Sequence, residues 1–242
     1  MALLKNNIEV TGMGVIAPTA IGLDQFETAL KNGKTNFSTI EFELGNRKFR
    51  FPVARVDNFN FHERITEINL NEEVFLKVKR LRNISLSTSF GLYCALEAWA
   101  DAGLENAGID LSGVAIILGG SNTQQATLQA EQNKYRENLQ FLNPNYGLNF
   151  YDTNLIGVLS EVLSIRGEGY SIGASSASGN MAIIQAHRLI SSNEYDVVLV
   201  VAPLMDISVY EYQGFTSLGA MAVFTENANP AEICRPFDKA HA

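Results

Sequence analysis

The chain has 242 residues, 46% of them hydrophobic and 18% charged, which describes an ordered globular protein and excludes a disordered one. A formal net charge of −8 argues against a nucleic-acid binder and against adhesion to anionic membranes. Two cysteines, Cys94 and Cys234, without CxxC spacing, point away from a disulfide framework or a zinc site and towards a reducing cytoplasm.

The N-terminal stretch Met1–Val10 is read as lacking a signal peptide, and no apolar run approaches the roughly 20 residues that span a bilayer. Ile8–Pro18 reads as a strand running into a glycine-rich turn. Leu23–Lys31 has helical spacing, with Leu23, Phe26, Ala29 and Leu30 on its apolar side and Gly33 as its stop. Residues 35–70 read as an irregular excursion carrying Phe37, Phe42, Phe49, Phe51, Phe59 and Phe61. Ile84–Ala102 is a strong helix ended by Gly103. Gly113–Gly120 is a continuous apolar run bounded by glycines, as expected of a strand buried on both faces. Residues 122–150 are polar and read as an exposed helix and loop. Asn154–Leu163 is helical, Gly169–Ile172 a strand, Ser176–Ser192 a helix, and Asp196–Ala202 a second fully buried strand. Buried strands alternating with helices predict an α/β fold with helices on both faces. Neither a repeat nor a charged linker interrupts residues 1–242, so they are read as one domain.

The most informative stretch is Tyr170–Ile190. A short strand ends at Ile172, small residues make a tight turn, and an apolar helix runs on from about Ser176. Such an elbow aims the start of the helix, with its positive partial charge and unpaired N–H donors, at whatever binds in front of it. A serine-hydrolase reading fails because G-x-S-x-G is absent. Gly119-Gly120 lacks the G-x-G-x-x-G context of a phosphate cradle and reads instead as close backbone packing near the elbow.

Four motifs in order then resemble the β-ketoacyl synthases of the thiolase-like condensing enzymes. Val10–Pro18 resembles that family's opening strand, and Ser171–Ile190 its nucleophile elbow. Gly214-Phe215 with Ser217–Ala222 resembles its gating loop, and Cys234–Lys239 its Arg-Pro-aromatic-Asp stretch. The resemblance implies the N-terminal half of a thiolase-like α/β fold, a mixed sheet with helices on both faces, incomplete without its C-terminal half. That half supplies two histidines and a lysine to the active site, and His62, His187 and His241 match neither histidine.

Where the family has a cysteine nucleophile, this chain has Ser176. A hydroxyl needs an adjacent base before it attacks, whereas a thiol near a helix N-terminus already carries thiolate. Decarboxylation of a malonyl thioester needs no nucleophile; it needs donors for the enolate oxygen, and the Ser176 N–H is one. Ala177–Asn180, Ala202–Ser208 and Tyr212–Phe215 resemble the ketosynthase-like decarboxylases of polyketide β-branching cassettes, where malonyl on an acyl carrier protein becomes acetyl. The alternatives are a non-catalytic partner subunit, like a chain-length factor, and residual condensation through Ser176. Phe215 matches the gate aromatic, a substrate contact or a plain core residue. The basic cluster Lys77–Arg82 offers Lys77, Lys79 and Arg80 for docking an acidic carrier, or is a solvated helix face. Gly169–Ile172 resembles the strand that pairs across the family's dimer axis, implying a dimer with itself or a ketosynthase homologue. No metal or resident cofactor is implied; phosphopantetheine arrives on the carrier.

Overall fold

A computed structural model describes residues 8–224, 229–235 and 238–239. They form two compact units, one of residues 8–14 and 60–206, the other of residues 15–59 and the described residues from 207 onwards.

The first unit is built on a parallel sheet in which Val114–Gly119 lies between Gly169–Ile172 and Val197–Val201. Every residue of the central strand is buried. Ala115 and Ile117 face the helix Ser178–Ser191, meeting its Ala182, Ala186 and Leu189. The helices Leu86–Asp101 and Asn154–Leu163 also pack on the sheet. Leu86–Asp101 is buried along most of its length, from Ser87 to Trp99. Its N-cap, Ser85, accepts a hydrogen bond from the Thr88 N–H, and Gly103 just beyond it takes a left-handed φ of 67°. Helices on both faces of a sheet are the layering that the alternating pattern predicts.

Several expectations are corrected. The apolar run beginning at Ile8 is not a strand; residues 8–15 run alongside the Leu86–Asp101 helix. A Cβ on Gly12 would collide with the Ala98 carbonyl, and one on Gly14 with that of Cys94. The glycines serve a backbone-to-helix contact, and a segment docked that way has no ladder to join. Val197–Val201 is an outer strand with only Leu199 and Val201 buried, because it has a single neighbour among the described residues. The sheet of this unit is wholly parallel; the antiparallel pairing sits in the other unit. The elbow helix starts at Ser178, two residues later than expected, after a 3₁₀ turn over Ser175–Ala177.

In the second unit, residues 37–54 are regular, not irregular. Phe37–Leu44 and Arg47–Ala54 form an antiparallel hairpin around Gly45-Asn46. Alternation carries it: Ile40, Phe42, Phe49, Phe51 and Val53 pack with Val209, Tyr212 and Met221. Phe51 stacks on Tyr212 at 5.3 Å between ring centroids. Tyr212 and Val209 belong to the helix Val209–Ser217, opened by a capping box between Ser208 and Glu211. In the helix Leu23–Lys31 only Ala29 is buried; Leu30 is 65% exposed.

The elbow helix approaches the central strand closely enough that a Cβ on Gly119 would lie 2.7 Å from the Ser178 carbonyl oxygen and 2.9 Å from the Gly179 Cα. Both obstacles are backbone and cannot rotate away. Gly119→Ala is expected to cost roughly 1–3 kcal/mol through overpacking, read from the denaturant midpoint of unfolding.

Candidate active site

Parallel strands of an α/β sheet deliver their following loops to one end, where ligands of such sheets bind. Here those loops are Gly120–Thr123, Gly173–Ala177 and Ala202–Asp206, and they are tied to one another. The Gly120 N–H donates to the Ile172 carbonyl at 3.0 Å, and the Ser171 hydroxyl donates to the Gly120 carbonyl at 2.9 Å. The Gly173 and Ser121 backbones are near neighbours, since a Cβ on Gly173 would sit 3.4 Å from that of Ser121. The third loop is held by the Asp206 N–H donating to the Thr123 carbonyl, by the Ala126 N–H donating to that of Asp206, both at 2.9 Å, and by the Ser87 hydroxyl at 2.6 Å from the Leu204 carbonyl. Asp152 accepts from the Asn122 and Thr123 N–H groups at 2.9 and 3.0 Å, fixing the first loop from 29 residues away. Nothing in sequence spacing flags Asp152 or Ser87 for these tasks.

The elbow itself runs Gly173-Ala-Ser-Ser-Ala-Ser178. Ser175 takes a left-handed φ of 49°, a conformation uncommon outside glycine. Ser178, 6% exposed, accepts from the Ala174 N–H at 2.8 Å and donates to the Ser175 carbonyl at 2.7 Å. Sequence reading treats Ser178 as a merely small residue; its spacing of three from Ser175 is the one local signal for this bond. Ser176 is exposed at the middle of the 3₁₀ turn. Neither its N–H nor its hydroxyl has a hydrogen-bond partner among the described residues. Of the 119–120 glycines, Gly119 packs against the start of the elbow helix, as its place in the sequence suggests, while a Cβ on Gly120 would face Thr123 and Pro203.

The other candidates fall as follows. Lys77, Lys79 and Arg80 lie on the helix Glu72–Arg80 of the first unit. Lys77 is partly buried and committed, 2.7 Å from both the Ser164 hydroxyl and the Glu73 carboxylate. Lys79 is exposed, its ammonium 4.5 Å from the centre of the Phe75 ring, and Arg80 is exposed. Phe215 is half-buried on the helix Val209–Ser217 in the second unit, so the expected gating segment is helical up to Ser217. His187 is at the surface, with Nδ1 3.3 Å from the Ser191 hydroxyl, and His62 is exposed on the short helix Phe61–Arg64. Pro236 and Phe237 of the Arg-Pro-aromatic-Asp stretch, and His241, lie outside the described residues. Among the described residues no cluster of three or more His, Cys, Asp and Glu side chains forms a metal site, and no helix is long and apolar enough to cross a membrane.

The sequence profile of the β-ketoacyl synthase N-terminal domain matches residues 5–242. The chain belongs to the β-ketoacyl synthase family. It is 32% identical over 232 residues to the polyketide biosynthesis malonyl-ACP decarboxylase PksF of Bacillus subtilis (strain 168), covering 96% of this chain and 53% of that protein. Its fold is the thiolase-like fold of the ketosynthases. A β-ketoacyl synthase from Burkholderia phymatum STM815 superposes with a TM-score of 0.70 at 18% identity, covering 96% of this chain and 54% of that one. The ishigamide ketosynthase/chain length factor superposes with a TM-score of 0.67 at 17% identity, covering 90% and 51%. The chain thus spans about half the length of the relatives it matches.

Burial raises the Asp206 carboxyl above the ordinary carboxylate range, offset in part by a hydrogen bond from Thr127. An acid with a raised folded-state value binds protons more tightly when folded, so its contribution to stability is lost as pH rises from about 3.9, the unfolded value, through the raised one. Asp206→Asn, which cannot ionise, is expected to gain in unfolding midpoint relative to wild type as pH rises through that window. A constant difference across the range would show that Asp206 titrates normally.

Proposed function

We propose that this chain supplies the elbow half of a malonyl-acyl-carrier-protein decarboxylase acting in polyketide biosynthesis. One observation carries the reading: Ser176, which the resemblance sets at the family's cysteine position, has an N–H without a partner among the described residues, at the end of the sheet. The change removes the better nucleophile and keeps the donor, which suits a reaction that needs only the donor. The name of the Bacillus relative, a malonyl-ACP decarboxylase, supports the same choice.

In the reaction the carbon–carbon bond between the carboxylate and the methylene of the malonyl thioester breaks, and carbon dioxide leaves. The electron pair moves to the thioester oxygen as an enolate, which the Ser176 N–H stabilises. A proton delivered to the methylene carbon then gives the acetyl thioester. Removing one such donor from an oxyanion site typically costs about 100- to 1,000-fold in rate. The Ser176 hydroxyl is a bystander, and histidines from the rest of the family fold, in this polypeptide or a partner, complete the site. Phosphopantetheine comes with the substrate, on the carrier protein. Phe215 lies on the helix that the resemblance assigns to the gate and is proposed as an acyl-chain contact. Dimerisation, with a second copy or a ketosynthase homologue, is proposed through the strand Gly169–Ile172, which pairs on one side only among the described residues.

Incubation of the full-length protein with malonyl-loaded carrier, followed by intact-mass spectrometry, tests the reaction. The expected result is acetyl-carrier with no acyl-enzyme adduct. Ser176→Ala is expected to retain the activity within a few-fold, and Ser176→Cys to acquire an acyl adduct. Unchanged malonyl-carrier in the wild type would overturn the enzyme reading in favour of a non-catalytic partner subunit.

For the carrier, Lys79 and Arg80 are the exposed charges left to meet an acidic surface, since Lys77 is held by Ser164 and Glu73. Reversing both (Lys79→Glu with Arg80→Glu) is expected to raise KM for the loaded carrier about ten-fold at low salt with kcat little changed. The effect should fade at high salt, as rim charges act mainly on encounter.

A further inference from the structure

We propose that Ser178 is the positioning residue of the elbow, aiming the Ser176 N–H by holding the peptide group that carries it. This rests on the reading of that N–H as the enolate donor. The carbonyl of Ser175 and the N–H of Ser176 belong to one planar peptide unit and, when that unit is trans, point in opposite directions. Whatever fixes the carbonyl therefore fixes the N–H. The Ser175 carbonyl accepts two hydrogen bonds, from the Ser178 hydroxyl at 2.7 Å and from the Ser178 N–H that closes the 3₁₀ turn. The same hydroxyl accepts from the Ala174 N–H at 2.8 Å, so it bridges the 173–174 and 175–176 peptide groups across the Ser175 N–Cα bond.

That bridge matters because Ser175 sits at φ 49°, where a serine gains nothing from its own backbone preference. Rotation about the Ser175 N–Cα bond would relieve it, and would carry the 175–176 peptide round and swing the Ser176 N–H off its line. Ser178, 6% exposed and at the first residue of the elbow helix, opposes that rotation from the buried side. Its hydrogen bond also polarises the amide, strengthening the N–H on the other side of the same group. The hydroxyl thus acts on the reaction through the backbone without touching substrate.

A thiol placed at the elbow reports the field there, independently of turnover. In Ser176→Cys, the pH profile of alkylation by iodoacetamide gives the thiol pKa, expected below the ordinary value of about 8.5. Adding Ser178→Ala is expected to raise it by about one unit, a ten-fold loss of thiolate below the pKa, while adding Ser178→Thr preserves it. Unfolding midpoints measured on the same samples separate positioning from general loosening. Should the alanine variant not fold, Ser178→Val against Ser178→Thr repeats the comparison at matched shape. Equal thiol pKa values with and without the 178 hydroxyl, in folded proteins, would overturn the proposal.

The full-length enzyme with malonyl-loaded carrier then distinguishes the two readings. Ser178→Ala is expected to lower kcat about ten-fold or more with little change in KM, and Ser178→Thr to restore it. A wild type that does not decarboxylate, together with an intact thiol contrast, removes the decarboxylase reading and leaves the positioning role standing. Decarboxylation without the thiol contrast does the reverse.

Discussion

The first unit is organised by one contact: the backbone of the elbow helix against the backbone of the central strand at Gly119. Side chains of ordinary size would hold a helix roughly 10 Å from a sheet; a glycine facing Ser178 and Gly179 lets the chains meet directly. Ala182 and Ala186 continue that closeness along the helix over Ala115 and Ile117, before Leu189 fills the widening gap. The helix start is thereby fixed against the end of the strand, with little freedom to tilt. Because all three strands are parallel, the same end receives the loops after Gly119, Ile172 and Val201. The site is a consequence of that convergence.

Short polar side chains then secure what the sheet brings together. Asp152, Ser87, Ser171 and Ser178 each bond a backbone group of a neighbouring loop, with distances between 2.6 and 3.0 Å. Loops at a sheet end carry many backbone donors and acceptors that no ladder satisfies, and such groups are costly to leave unpaired once partly buried. Spending these side chains on the framework leaves the Ser176 N–H among the donors without a partner among the described residues. The arrangement of the elbow is thus a property of its backbone, held by neighbouring side chains and not by that of Ser176.

The second unit follows a different rule. Phe42, Phe49 and Phe51 lie on one side of a two-stranded hairpin and meet Tyr212 and Val209 from a distant part of the chain. A lone hairpin is marginal in water, so the helix that covers it and the hairpin it covers stabilise each other. Charges on the hairpin form exposed pairs, Glu41 with Lys48 and Arg50, which hold the Glu41 carboxyl below its ordinary range and contribute little to stability.

Sequence alone determined whatever depends on near neighbours. The apolar run before Gly119, the helix ending at Gly103, the strand before Ile172 and the small-residue turn around Ser176 are all periodicity and local sterics, and their order carried the family resemblance. The hairpin at 37–54 is also legible, since Phe, Ile and Val alternate there, although a run rich in aromatic residues reads as irregular until its two strands pair. Tertiary structure alone decided the rest. Whether the apolar run at Ile8 became a strand depended on a helix 80 residues away that offered its carbonyls to Gly12 and Gly14. Whether Val197–Val201 was central or outer depended on how many strands lay beside it. That Asp152 and Ser87 hold loops, that Lys77 is occupied by Ser164, and that Ser178 grips the peptide before Ser176 follow from hydrogen bonds whose geometry no spacing encodes. A hydrogen bond is decided within a few tenths of an ångström, and only the packed chain fixes positions to that accuracy.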